Sequence, residues 1–158
     1  MSELSELSAA IQAVVARWTS ENTEHMPPLS SSRVKELLET LTDEAPEDAV
    51  TLYSETGGIA EGHMDDNLFS LWPLEKVIAE ARATPGKRIE FGDFLIDSHR
   101  YSLACSAGRS EVWINAHSGD PSDDHRIFDS LTEFFVKYAN ASSEDAAFSV
   151  LHGIEEQA

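Results

Sequence analysis

Between Arg88 and Asn115 the chain carries three short runs rich in β-branched and aromatic residues, separated by brief turns. The runs are Arg88 to Ile96, Arg100 to Cys105 and Glu111 to Asn115. The turns are Asp97-Ser98-His99 and Ser106-Ala107-Gly108. Connections this short join antiparallel neighbours, because a parallel pair needs a crossover of about a dozen residues or more. A meander therefore occupies the middle of the chain, with Gly92 marking a bend in its first strand. Arg126-Ile127-Phe128 adds a brief edge strand, and Leu68 to Trp72 reads as a short buried strand ahead of the meander.

The flanking segments keep helical period. Leu4, Leu7, Ile11, Val14, Val15 and Trp18 form one apolar stripe, which predicts a helix over about 3–20. Ser31 or Ser32 caps a second helix with the face Val34, Leu37, Leu38 and Leu41. Pro46 stands at the first turn of a third helix through Ala49, Val50, Leu52 and Tyr53, closed by Gly57-Gly58. Ile59 to Asn67 reads as a polar loop. Pro73 opens a helix through Val77, Ile78 and Ala81, ended by the turn Thr84-Pro85-Gly86. Ser130 caps a helix bearing Leu131, Phe134, Phe135 and Tyr138, and Ser143 caps a last one to His152. Helices, then an antiparallel sheet, then helices define an α+β chain. The expected architecture is a central, mostly antiparallel sheet of about four to six strands with helices on one face. Its 158 residues suit a single domain spanning 1–158.

Charge narrows the partners. Eleven Lys and Arg stand against 29 Asp and Glu, a formal net charge of -18. Such a surface repels nucleic-acid backbones and anionic membranes and attracts basic proteins. No run approaches the roughly 20 apolar residues of a membrane span. The N-terminal stretch lacks the basic region and apolar core of a signal peptide. The one cysteine, Cys105, excludes an intramolecular disulfide, and its strand-like surroundings predict a buried, inert thiol. A cytoplasmic protein is expected.

Four segments carry a family resemblance. Ala45 to Gly58 is similar to a signature of SUKH-superfamily domains, matching at Pro46, Asp48, Tyr53, Gly57 and Gly58. Leu71-Trp72-Pro73-Leu74-Glu75-Lys76-Val77 resembles the family's strand-to-helix step through Pro73. Ile89 to Asp93, with Phe91 and Gly92, resembles its next strand. Ile127 to Phe135, with Phe134, resembles its closing helix entry. Order and spacing agree over roughly residues 33–138, leaving the helices at 3–20 and 143–152 as additions. Ala45, Thr56 and Trp72 depart from the family's usual residues. The resemblance implies an α+β domain without chemistry of its own. Bacterial members are commonly immunity proteins that bind and neutralise a toxin, and fungal relatives are regulators acting through protein contacts.

The charge distribution supplies candidate residues. From Glu36 to Glu75 there are eleven acids and no Lys or Arg: Glu36, Glu39, Asp43, Glu44, Glu47, Asp48, Glu55, Glu61, Asp65, Asp66 and Glu75. A block this one-sided concentrates negative potential wherever its members share a face. A second acidic cluster, Asp120, Asp123 and Asp124, lies in the loop before the edge strand. The expected partner-binding residues are Glu55, Glu61, Asp65, Asp66, Asp120, Asp123 and Asp124, with Trp72 as an aromatic anchor. Pro46, Asp48, Tyr53, Gly57, Gly58, Pro73, Phe91, Gly92 and Phe134 are the structural residues that the resemblance implies. His117 and His125 beside the second cluster, and His63-Met64-Asp65-Asp66, have ligand types but no metal-site spacing, so no metal or cofactor is expected. Nucleophile-elbow, phosphate-loop and zinc-protease motifs are absent, and an enzyme is not expected. The expected function is toxin neutralisation by a non-catalytic domain with an acidic surface. A regulatory scaffold domain and a hydrolase with an unrecognised site remain as alternatives.

Overall fold

A computed structural model describes residues 2–84, 88–106, 109–116 and 124–154. Its elements run α1 (Glu3–Ser20), α2 (Ser31–Leu38), α3 (Glu47–Glu55), β1 (Phe69–Leu71), α4 (Leu74–Ala83) and β2 (Ile89–Phe94). Then follow β3 (His99–Ser106), β4 (Arg109–Ala116), β5 (His125–Phe128), α5 (Leu131–Asn140) and α6 (Glu144–Leu151). The five strands form one antiparallel meander in sequential order, so the chain is α+β.

Cross-strand register selects the core face. Tyr101 stands opposite Ile114, Leu103 opposite Val112, and Val112 opposite Phe128. These five are all buried. A bulge at Glu90/Gly92 inserts Phe91 as an extra residue in β2. Phe91 thereby meets both Tyr101 and Phe134, with ring centroids 6.2 and 6.3 Å away. Phe134 of α5 also packs edge-on against Phe128 and Phe135, and Phe69 against Tyr138. α1 lies on α5 and α3, burying Leu7, Ile11, Val14 and Trp18, the periodic stripe of its sequence. Strand alternation puts Arg100 on the sheet face opposite Tyr101, where it pairs with Glu80 of α4, and α4 packs against β2.

Helix ends show where local chemistry decides. Ser130 and Ser143 cap α5 and α6 by accepting hydrogen bonds from the backbone N–H three residues on. Ser30, rather than Ser31 or Ser32, caps α2. Its backbone is extended and its Oγ accepts from Arg33 N at 3.3 Å. Pro46 is the cap position of α3, just outside the first turn where the sequence placed it.

Gly57-Gly58 does not supply a left-handed helix terminus. α3 ends at Glu55 and Thr56 is already extended, with φ -152°. The two glycines instead permit close backbone approach. A Cβ on Gly57 would lie 2.2 Å from Pro27 O, and one on Gly58 2.8 Å from Trp72 O. Gly58 also has φ +91°. The following Ile59 is fully buried, bridged to His25 and hydrogen-bonded to Leu71 O at 2.7 Å. The expected polar loop therefore begins only after a strand-like contact.

Cys105 corrects another expectation. The residue is exposed, near the end of β3. Its Sγ lies 3.9 Å from Ser110 Oγ, and partial burial of the thiol still raises its pKa.

Candidate protein-binding surface

The fold divides the eleven acids of the basic-free segment into different classes. Asp48 and Asp65 are buried, Glu55 is half-buried and the other eight are exposed. Asp48 accepts hydrogen bonds from Ser110 N at 2.6 Å and Ser110 Oγ at 2.8 Å, tying the start of α3 to β4. Burial raises its pKa against the lowering effect of those bonds.

Asp65 is a correction. It was expected on a docking surface and is 2% exposed. Its carboxylate accepts from Trp18 Nε1 at 3.0 Å, Tyr138 Oη, Asn67 N at 2.9 Å and Phe69 N at 3.1 Å. Those donors come from α1, α5 and the approach to β1, so the acid pins three parts of the chain together. Burial again raises its pKa, with the four hydrogen bonds opposing. A carboxylate so committed has no capacity left for a partner.

Trp72 is likewise withdrawn from the surface, at 1% exposed. Its Nε1 donates to Asp93 Oδ2 at 2.6 Å, and its carbonyl accepts from Tyr53 Oη at 2.8 Å. Lys76 Nζ and the Arg100 guanidinium lie 4.6 and 5.3 Å from its ring centroid. Pro73 caps α4, and a Cβ on Gly92 would lie 2.8 Å from Ser70 O. Glu55 accepts from Ser8 Oγ at 2.7 Å and Gln12 Nε2 at 2.9 Å, which engages both its oxygens with α1. Asp124 is half-buried and paired with Arg88, whose guanidinium sits 4.2 Å from the Trp113 ring centroid. Asp120 and Asp123 lie outside the described residues, as do His117 and the turns at Pro85-Gly86 and Ala107-Gly108.

Apart from Glu75, in the first turn of α4, the exposed acids of this segment fall into two groups. Glu36, Glu39, Asp43, Glu44 and Glu47 follow the chain from α2 into α3, all exposed. Glu61 and Asp66 form the second patch with the end of α1. Asp66 N donates to Glu21 Oε1 at 3.2 Å, and His63 pairs with Glu24 at 3.1 Å. Burial raises the pKa of Glu21, and repulsion from Asp65 and Asp66 adds to the rise. The acids are thus close enough to feel one another.

Several residues of this region were not singled out by the sequence. Asp93 is buried beneath Trp72. Arg100 is held by Asp97 at 2.6 Å, Glu90 at 3.1 Å and Glu80 at 3.5 Å, and its pKa is raised chiefly by the bond to Asp97. Between the Glu61 loop and the β2–β3 turn lies a cavity of about 210 Å³, lined by Glu61, His63, Trp72, Lys76, Asp93 and Ile96 among others. The sequence ran the first meander strand through Leu95-Ile96 and began the turn at Asp97, whereas β2 ends at Phe94, Leu95 and Ile96 stand in the turn, and His99 already belongs to β3. A larger groove of about 720 Å³ runs between β5, α5 and α6. Among the described residues, no group of three His, Cys, Asp or Glu is arranged to hold a metal ion. No helix of the described residues is long and apolar enough to cross a membrane. No protein-family model matches the chain, and no curated protein matches its sequence.

Proposed function

We propose that this chain is a non-catalytic protein-binding domain that neutralises a cognate bacterial toxin by binding it through an acidic surface in the cytoplasm. The observation that carries the reading is the exposure of eight acids in a segment with no Lys or Arg. Acids drawn into two patches build a local negative potential that steers a basic partner and rejects acidic ones. The resemblance to SUKH-superfamily domains supports the toxin as the partner class. The test mixes the purified chain with the toxin encoded beside its gene. A stoichiometric complex and loss of toxicity are expected. Finding no complex and no protection would overturn the proposal.

A further inference from the structure

The β2–β3 turn is built against backbone preference. Leu95, Ile96 and Asp97 have φ of +50°, +50° and +69°, three consecutive non-glycine residues in the left-handed region. A β-branched residue there is an outlier, and hairpin turns of this hand ordinarily use Asn, Asp or Gly. Burial does not compensate, because Ile96 is 77% exposed. Leu95 and Leu68 beside it are exposed as well, joined by Leu95 N to Leu68 O at 2.8 Å. Leu68 is itself left-handed, with φ +68°. Three exposed aliphatic side chains on left-handed backbone thus sit together at this turn and form an apolar tip.

The surroundings of the tip are acidic. Ile96 lines the 210 Å³ cavity together with Glu61, Asp93 and Asp97. Asp93 is buried on Trp72, Asp97 is held by Arg100, and the cavity's Lys76 is drawn onto the Trp72 ring. Glu61 is exposed and carries no hydrogen bond or ion pair among the described residues, leaving the mouth of the cavity negative. Asp66, Glu21 and Glu24 continue the negative charge beyond Leu68.

We propose that this end of the molecule is the docking surface for a protein segment that carries an arginine or lysine beside an apolar residue. The cation enters the cavity mouth against Glu61, and the apolar side chain packs on Ile96, Leu95 and Leu68. The inference rests on the protein-binding reading above and assigns it a surface and a partner chemistry. Charge complementarity selects the basic residue, and the exposed aliphatic tip selects its apolar neighbour.

The test titrates the ¹⁵N-labelled full chain with the peptide acetyl-Ala-Leu-Lys-Ile-Arg-Leu-Ala-amide and with its counterpart carrying Glu in place of Lys and Arg. The basic peptide should shift the amides of Gly62, Leu95, Ile96 and Asp97 and the Trp72 indole N–H, and the acidic one should not. Ile96→Gly and Glu61→Gln should each weaken the binding at least fivefold. Ile96→Gly should melt no lower than the parent, since glycine accepts the turn's backbone. Shifts elsewhere, equal response to both peptides, unchanged affinity in both variants, or a lowered melting temperature for Ile96→Gly would overturn the proposal. Toxin protection is read separately. Protection with no peptide response at these residues sinks this surface alone, and peptide binding here without protection sinks the immunity reading alone.

Discussion

Replacing Asp65 by Ala removes the acceptor for four donors at once. Three of them, Trp18 Nε1–H, Tyr138 Oη–H and Phe69 N–H, are buried. A buried donor left unsatisfied costs about 1–3 kcal/mol. Three donors with partial relaxation therefore cost about 3–6 kcal/mol, against a total stability of about 5–15 kcal/mol for a typical domain. Urea unfolding followed by tryptophan fluorescence measures the loss directly. Tyr138→Phe deletes one donor, so the double variant should be less destabilised than the sum of the singles by about 1–3 kcal/mol. A cost below about 1 kcal/mol for Asp65→Ala, with strict additivity, would refute the claim that this carboxylate joins α1, α5 and the approach to β1. The pH dependence follows from the raised pKa of Asp65. Between the unfolded pKa and the higher folded one, the native state binds more protons than the unfolded state. Stability therefore falls as pH rises through that window and levels off above it. Asp65→Asn should reduce that slope, and the remainder should persist through Asp48 and Glu21, whose pKa values burial also raises.

Other outcomes follow from the same geometry. Ile96→Gly relieves a left-handed φ of +50°, worth about 1–2 kcal/mol, against the roughly 0.5–1 kcal/mol entropy cost of glycine. A net change between zero and about 1.5 kcal/mol of stabilisation is expected from thermal unfolding. Gly58→Ala combines φ +91° with a Cβ 2.8 Å from Trp72 O, and should destabilise by about 2 kcal/mol or more in urea. The Cys105 thiol, held up by burial, should react with iodoacetamide along a pH profile shifted above that of a free cysteine, despite the exposure of the residue. Ser110→Ala removes the hydroxyl bond to Asp48 while leaving the backbone ones, and should cost about 1–2 kcal/mol.

The periodic parts of this fold were legible because each element's face is recorded locally. The stripe Leu7, Ile11, Val14 and Trp18 names the buried side of α1 without reference to any other segment. The serines at 130 and 143 announce their helices because capping is a three-residue transaction. What the sequence hid depends on distant atoms. Asp65 and Asp66 are adjacent acids in one polar stretch, and only Trp18, 47 positions away, and Tyr138, 73 positions away, make the first a buried anchor. The glycines at 57 and 58 look like a helix stop, and their purpose comes from Pro27 and Trp72 passing close by. Trp72 offered no sign that Asp93 would receive its indole N–H. The acidic surface was visible as a count, and its division into two patches came from which acids the fold withdrew.

The central claim is that exposed acids and the apolar tip bind a basic protein. Titration calorimetry of the full chain with the cognate toxin that the proposed function calls for, repeated from low to high salt, measures it most directly. A one-to-one complex is predicted, with affinity that falls as salt rises yet persists at high salt through the contact on Ile96. The absence of a complex at low salt, or an affinity indifferent to salt, would contradict it.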